Sequence, residues 1–327
     1  MTPPSGKKAF YIPTLAVIGV GLIGGSLARA LKRGRHVGRV VGAGRSLASL
    51  QKARRLGVID VMSASPAQAA QGADVVVVAT PVGATEYILQ EIAPALGETA
   101  VVTDVGSVKN MVCEMARDAL GAAVRRFVPG HPVAGKEHSG VGASHAELFV
   151  GHRVALTPLR ETDEDARKTV RRMWKAAGAR VTTMPAAEHD RVLALTSHLP
   201  HVLAYAMVEL FADTTRGGVL SGLGGVENTA PALYGDMAAG GFYDFTRTAS
   251  SDPEMWRDIC VTNRAQILRQ LQAFSVRTER IAQLISDGDL HALERLFTAA
   301  RDTRAKVGER RPARPRPTLL FPPKSAS

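Results

Sequence analysis

The chain has 327 residues, 45% of them hydrophobic and 22% charged, with a formal net charge of +11. That is enough chain for two hydrophobic cores, and no stretch approaches the ~20 apolar residues that span a bilayer. Two cysteines without a CxxC spacing, Cys113 and Cys260, exclude a disulfide framework and predict a cytoplasmic protein.

The charge is unevenly placed. Residues 304–327 carry seven basic side chains against Glu309, more than half of the net charge, and the segment from residue 308 on is rich in proline. Such a segment reads as a disordered basic tail rather than a nucleic-acid interface, so no specific nucleic acid and no membrane is expected as a partner. At the other end, residues 1–10 lack the apolar run of a signal peptide, and residues 1–13 read as a flexible arm.

From residue 15 onward, short β-rich runs alternate with helical patterns. Strands are predicted at 15–18, 37–42, 75–79, 100–104 and 124–129, and helices at 23–33, 47–56, 84–96 and 108–120. This alternation implies right-handed βαβ units around a parallel sheet. The run Val75-Val76-Val77-Val78 suits a central strand buried on both faces. Further strands at 153–157 and 180–183 flank a helix at 163–177. After residue 186 the strands stop. A long apolar helix at 187–212, broken at Pro200, precedes a glycine-rich stretch (Gly217-Gly218, Gly222 to Gly225) and further helices from 253 to about 306. The fold class is α/β: a Rossmann-type doubly wound parallel sheet followed by an all-helical domain.

The motif Gly19-Val20-Gly21-Leu22-Ile23-Gly24 follows the first strand and opens the first helix, the context a GxGxxG fingerprint requires. Its first glycine permits the tight turn and its second lets a pyrophosphate approach the backbone. The third permits close packing, while the helix N-terminus offers free N–H groups to the anion. At the end of the second strand, where an acid often holds the ribose, the chain reads Gly42-Ala43-Gly44-Arg45-Ser46. Arg45 with Ser46 suits a 2′-phosphate and tilts the cofactor from NAD toward NADP; a solvated surface charge is the other reading of Arg45.

Ligands in open α/β sheets lie beyond the carboxyl ends of the strands, so Thr80-Pro81 and Asp104-Val105-Gly106-Ser107-Val108-Lys109 are expected to face the nicotinamide. Ser107 can also serve as N-cap of a helix starting at Val108, and both roles stay open. His131, fixed by Pro132 at the end of a following strand, is placed for proton chemistry. Farther on, Ser197-His198-Leu199-Pro200-His201 puts two imidazoles and a proline inside the most apolar helix, a costly arrangement in a helix interior. His198 and His201, three apart, share a helical face; His189 points nearly opposite. There is no HExxH and no His/Cys cluster at ligand spacing, so no metal is expected.

Taken in order, GVGLIGGS (19–26), DVGSVK (104–109), HPVAGKEHSG (131–140), EHD (188–190), SHLPH (197–201) and DFTRTASSDPEMWRDI (244–259) resemble the prephenate/arogenate (cyclohexadienyl) dehydrogenase family over roughly residues 15–306. The resemblance implies oxidative decarboxylation of prephenate or arogenate, with hydride transfer to NAD(P)+, in tyrosine biosynthesis. It implies His131 as a neutral hydrogen-bond acceptor for the C4 hydroxyl and Ser107 as a contact to the same hydroxyl. It further implies Arg247 as the carboxylate-binding cation, His201 as a pocket wall, and His189 and Trp256 as further pocket positions. Gly19, Gly21, Leu22, Ile23, Gly24, Arg45, Ser46, Thr80, Pro81 and Ser107 form the expected cofactor set. The domains are expected at 14–186 (dinucleotide-binding), 187–306 (helical, substrate-binding and homodimer-forming) and 307–327 (tail). A β-hydroxyacid dehydrogenase is the alternative of the same plan. Such enzymes use a lysine on the first helix of the second domain, and this chain has none between Lys175 and Lys306.

Overall fold

The computed structural model describes residues 10–134, 139–215 and 231–309. The glycine-rich stretch, residues 135–138 of the HPVAGKEHSG motif, the first nine residues and residues 310–327 lie outside the described residues.

Strands β1 (Ile12–Ile18), β2 (Val37–Ala43), β3 (Val61–Met62), β4 (Val75–Val78), β5 (Val101–Asp104) and β6 (Phe127–Val128) form one parallel sheet in the order β3-β2-β1-β4-β5-β6. This is the doubly wound order, with its switch point between β1 and β4. All four valines of β4 are buried, as a central strand covered by helices on both faces requires. The helices are α1 (Leu22–Arg33), α2 (Leu47–Arg55), α3 (Pro66–Ala70), α4 (Thr85–Ile92) and α5 (Asn110–Leu120). The two-residue β3 and five-residue α3 have no counterpart in the sequence reading, being too short to show a period. β1 begins at Ile12, inside the segment read as a flexible arm, because Ile12 is buried and pairs with Val37.

One predicted strand is in fact a corner. Over 121–126 the chain makes a 3₁₀ turn, β6 spans two residues, and β7 (Gly130–Pro132) opens a second sheet with β8 (Arg153–Leu156) and β9 (Arg180–Thr183). β7 runs antiparallel to β8 and pairs His131 with Ala155, so His131 lies within a strand and is held by a ladder. Helix α6 (Glu164–Ala176) connects β8 to β9 and buries Trp174 against Phe149.

The helical half comprises α7 (Ala186–Leu193), α8 (Leu199–Thr215), α9 (Pro231–Met237), α10 (Gly240–Thr246), α11 (Pro253–Thr262), α12 (Arg264–Ser286) and α13 (Leu290–Glu309). The break in the long helix precedes Pro200. Without an N–H, Pro200 cannot bond the carbonyl of Thr196 four residues back, and its ring presses on that carbonyl. The chain answers with a π-helical turn over Ala194–His198, a local widening that recurs at functional sites. Helix α13 continues to Glu309, three residues into the segment read as tail. Among the described residues, no helix is long and apolar enough to cross a membrane.

The two halves share a core. Val108, on the loop after β5, is fully buried in one cluster with Ala194, Trp256, Ile259 and Ile267 of the helical half. Where α11 meets the loop after β4 the packing is close: a Cβ on Gly83 would stand 2.4 Å from Asp258 Oδ2 and would make that side chain shift.

Candidate active site

The fingerprint loop has the geometry its glycines predict. Gly19 adopts φ +94°, and a Cβ there would stand 2.4 Å from the carbonyl oxygen of Ala79. A Cβ on Gly24 would meet Gly19 O at 2.5 Å and Val17 Cγ1 at 2.7 Å, so the third glycine is what lets α1 close on the sheet. A Cβ on Gly21 would meet nothing within 4 Å, which leaves the backbone open to a phosphate at the N-terminus of α1. Leu22 and Ile23 begin that helix half-buried against the core. Thr80, at the end of β4, buries a hydroxyl without a hydrogen-bond partner, and Pro81 leads into the 3₁₀ turn Val82–Ala84. These residues fit a dinucleotide crossing the β1/β4 switch point. Gly24→Ala is expected to cost about 1–3 kcal/mol through overpacking and to weaken cofactor binding. Thermal melts with and without NAD+ check this.

At the adenosine end, Arg45 is exposed and Ser46 caps α2, its Oγ accepting from Ser49 N at 3.2 Å. Ser49 and Lys52, on the same helix, line an open cavity of about 430 Å³ with residues 139–143.

Around β5 the polar groups form a buried network. Lys109, fully buried, pairs with Asp104 and donates to Gly130 O at 2.9 Å. Asp104 also accepts from Gly106 N at 2.8 Å and Gly130 N at 3.0 Å. One carboxylate and one ammonium therefore clamp both backbone groups of the residue preceding His131.

A second carboxylate reaches the end of this loop from the helical half. Asp190 of α7 accepts from the backbone N–H of Lys109 and of Asn110, each at 2.8 Å. It is thus the cap of α5 supplied from a distant segment. Ser107 is not that cap: α5 starts at Asn110, and Ser107 lies half-buried on the loop before it. Asp190 also accepts from His189 Nδ1 at 2.8 Å, and His189 Nε2 lies 2.9 Å from His131 Nδ1. With both ring nitrogens engaged and no exposure, His189 stands behind His131 rather than on the pocket wall that the sequence reading assigned it.

Burial above all, then the neighbouring His189, Lys109 and His198, holds the pKa of His131 well below the ordinary imidazole value. It is neutral at physiological pH and able to accept a proton or hydrogen bond.

The remaining histidines divide. Asn263, between α11 and α12, donates through Nδ2 to Asp190 O at 3.0 Å and lies 3.1 Å from His198 Nδ1. His198 is buried, and burial, with smaller contributions from His189 and His201 and against the opposing pull of Asp190, lowers its pKa to about 4. His201 is half-buried, stacks on Trp256 with ring centroids 3.8 Å apart, and bonds Ser197 O through Nδ1 at 2.8 Å. That bond puts the His201 proton on Nδ1 and leaves Nε2 an acceptor. Burial lowers the His201 pKa, with the Arg247 charge adding to it against the Ser197 bond. Arg247 is exposed at the start of a 3₁₀ turn, Arg247–Ser250, following α10.

A pH dependence of stability follows. His198 and His131 fold as neutral imidazoles with lowered pKa values, so their contribution is complete above about 6.5. It is lost as pH falls, because the unfolded chain then binds protons the native state refuses. For His198 the window runs from 6.5 to about 4 and amounts to about 3 kcal/mol at its lower end. Urea titrations at pH 7.5 and pH 4.5 are expected to show this loss, reduced in His198→Gln.

The sequence placed Asp104, Lys109 and Asp190 inside motifs but gave no sign of the network they form, and Asn263 was not singled out at all. Charge in an otherwise apolar loop was the available signal for the first two, and the EHD triplet for Asp190.

Known proteins resemble this chain over most of its length. The model for the prephenate dehydrogenase nucleotide-binding domain covers residues 27–183, and that for the prephenate dehydrogenase dimerization domain covers 185–299. The chain is 36% identical over 292 residues to the prephenate dehydrogenase of Bacillus subtilis, covering 89% of this chain and 75% of that one. It is 37% identical over 277 residues to the cyclohexadienyl dehydrogenase of Zymomonas mobilis, covering 84% and 90%. The crystal structure of prephenate dehydrogenase from A. aeolicus in complex with hydroxyphenyl propionate and NAD+ superposes with a TM-score of 0.82. It is 33% identical, over 92% of this chain and all of that one. With both domain models matched in order across its length, the chain belongs to the prephenate dehydrogenase family.

Proposed function

We propose that this chain oxidises and decarboxylates prephenate, or its amino counterpart arogenate, to the corresponding 4-hydroxyphenyl product in tyrosine biosynthesis, at the junction of its two halves. The observation that carries the reading is His131, an imidazole buried and held neutral at the edge of a dinucleotide-binding sheet. The substrate ring carries a hydroxyl at C4 and a carboxylate at C1. As the C4 hydrogen leaves with its electron pair, the bond from C1 to its carboxylate breaks and CO2 departs. The bonding electrons close the aromatic ring. His131 accepts a hydrogen bond from the C4 hydroxyl through this step, stabilises the positive charge that develops on that oxygen, and leaves its proton on the phenol. When bound, the nicotinamide supplies the hydride acceptor.

In this reading Ser107 contacts the same hydroxyl, and Arg247 grips a substrate carboxylate. His201, stacked on Trp256, forms the wall that orients the ring. Gly19, Gly21, Leu22, Ile23, Gly24, Thr80 and Pro81 hold the cofactor. NADP is favoured over NAD by Arg45, with Ser49 and Lys52 of the helix that follows it lining a cavity. Arg247→Ala is expected to raise the KM for prephenate about 10- to 100-fold, the size of a lost charged hydrogen bond, with kcat changed little. Steady-state kinetics check this, and a KM held at the wild-type value would contradict the assignment.

The helical half forms a homodimer in this reading. In a single chain Met237, Tyr243, Leu268, Val276, Leu290 and Phe297 are exposed on its helices, and the 23-residue α12 buries only Ile267, more open apolar surface than one chain keeps in water. Both cysteines stand as free thiols, in keeping with the reducing cytoplasm, where we place the enzyme.

A further inference from the structure

We propose that Asp190 is a positioning residue that acts through His189 to fix the tautomer of His131, leaving the Nε2 of His131 a lone pair for the substrate hydroxyl. The proposal rests on the reading of His131 as hydroxyl acceptor.

An ionised carboxylate can only accept. Asp190 already takes two backbone N–H groups, from Lys109 and Asn110, at the positive end of α5. The contact of Asp190 Oδ1 with His189 Nδ1, 2.8 Å, therefore places a His189 proton on Nδ1. An imidazole with its single proton on Nδ1 presents a bare Nε2. Its partner at 2.9 Å, His131 Nδ1, must supply the proton of that bond. His131 is left with Nε2 bare, the form that accepts a hydrogen bond. Were Asp190 unable to accept, His189 would be free to carry its proton on Nε2. His131 Nδ1 would then be the acceptor, and Nε2 would carry the proton that blocks acceptance.

The carboxylate also ties this choice to domain closure. The residue that sets the tautomer sits on α7 of the helical half, and its other bonds cap α5, the helix that follows the cofactor-facing loop. Asn263 anchors the backbone carbonyl of the same Asp190, so α7, α12 and α5 meet at one residue. The imidazole in β7 is thus in its accepting form when the two halves are docked.

Two measurements test this. In wild-type protein labelled with ¹⁵N-histidine, long-range ¹H–¹⁵N correlation is expected to show His131 protonated on Nδ1 and bare on Nε2; the opposite tautomer overturns the proposal. In kinetics, Asp190→Leu removes every acceptor facing His189 Nδ1, so kcat is expected to fall about a hundredfold or more with the prephenate KM within about threefold. Asp190→Asn, whose amide oxygen can still accept from His189 Nδ1, is expected to retain at least tenfold more kcat than Asp190→Leu. His189→Gln, whose amide oxygen can still accept from His131 Nδ1, is expected to keep at least tenfold more kcat than His189→Leu. A folded Asp190→Leu with wild-type kcat, beside an inactive His131→Asn, overturns the relay while the acceptor reading stands. A fully active His131→Asn overturns the acceptor reading itself. Should Asp190→Leu fail to fold, the comparison of His189→Gln with His189→Leu and the wild-type tautomer decide the matter. Equal activity of the two His189 variants counts against the proposal.

Discussion

Replacing Lys109 with methionine is expected to destabilise the fold by about 3–5 kcal/mol, the cost of leaving a buried charge without its partner. The loss is large because the ammonium serves two acceptors, the Asp104 carboxylate and the Gly130 carbonyl, and both side chains of the pair are buried. Asp104 keeps only the N–H groups of Gly106 and Gly130, too few for a desolvated carboxylate. On the adjoining helix the Cys113 thiol is buried as well, and burial pushes its pKa up to about 11. Lys109→Arg retains the charge but not the volume, and is expected to recover only part of the loss. Equilibrium urea unfolding with NAD+ absent measures the effect on the protein alone. A loss below about 1 kcal/mol would show that the pair is solvated and is not what fixes the strand carrying His131.

The second large effect concerns rate. His131→Asn is expected to lower kcat about 10²- to 10⁴-fold, the usual contribution of a positioned proton acceptor, with the KM for prephenate near the wild-type value. The split matters. A residue that stabilises charge only as the hydride leaves lowers kcat and kcat/KM together, whereas one that binds the ring in both states raises KM. Burial of the ring and the two backbone clamps on Gly130 predict the first pattern. A rise in KM at constant kcat would place His131 among the binding residues.

The sequence made the sheet and the cofactor loop readable for a physical reason: local chemistry decides both. Four consecutive valines suit a strand covered on both faces, and the glycines at 19 and 24 stand where a Cβ would strike backbone within 2.5 Å. The polar network was not readable, because it is assembled from segments some eighty residues apart. Asp190 caps a helix that begins at Asn110, and no spacing in the chain announces that meeting. Ser107 resembled a cap because serine before a helix usually is one; the distant carboxylate took that place, moving the helix start from 108 to 110. His189 was drawn toward the pocket by its neighbours in the motif, although its burial follows from a contact between two domains. The π-helical turn likewise expresses a local cause, Pro200, yet the stacking of His201 on Trp256 depends on α11 arriving from elsewhere.

At the junction of the two halves, this chain is expected to carry out oxidative decarboxylation of a cyclohexadienyl carboxylate with a nicotinamide cofactor. Initial rates of the purified wild-type chain, with prephenate and arogenate each crossed against NAD+ and NADP+, test it most directly. The account predicts reduced cofactor and CO2 in equal amounts with at least one substrate, and faster turnover with NADP+ if Arg45 reads a 2′-phosphate. Failure of all four pairings to reduce cofactor, in protein shown to be folded and to bind NAD(P)+, would contradict it.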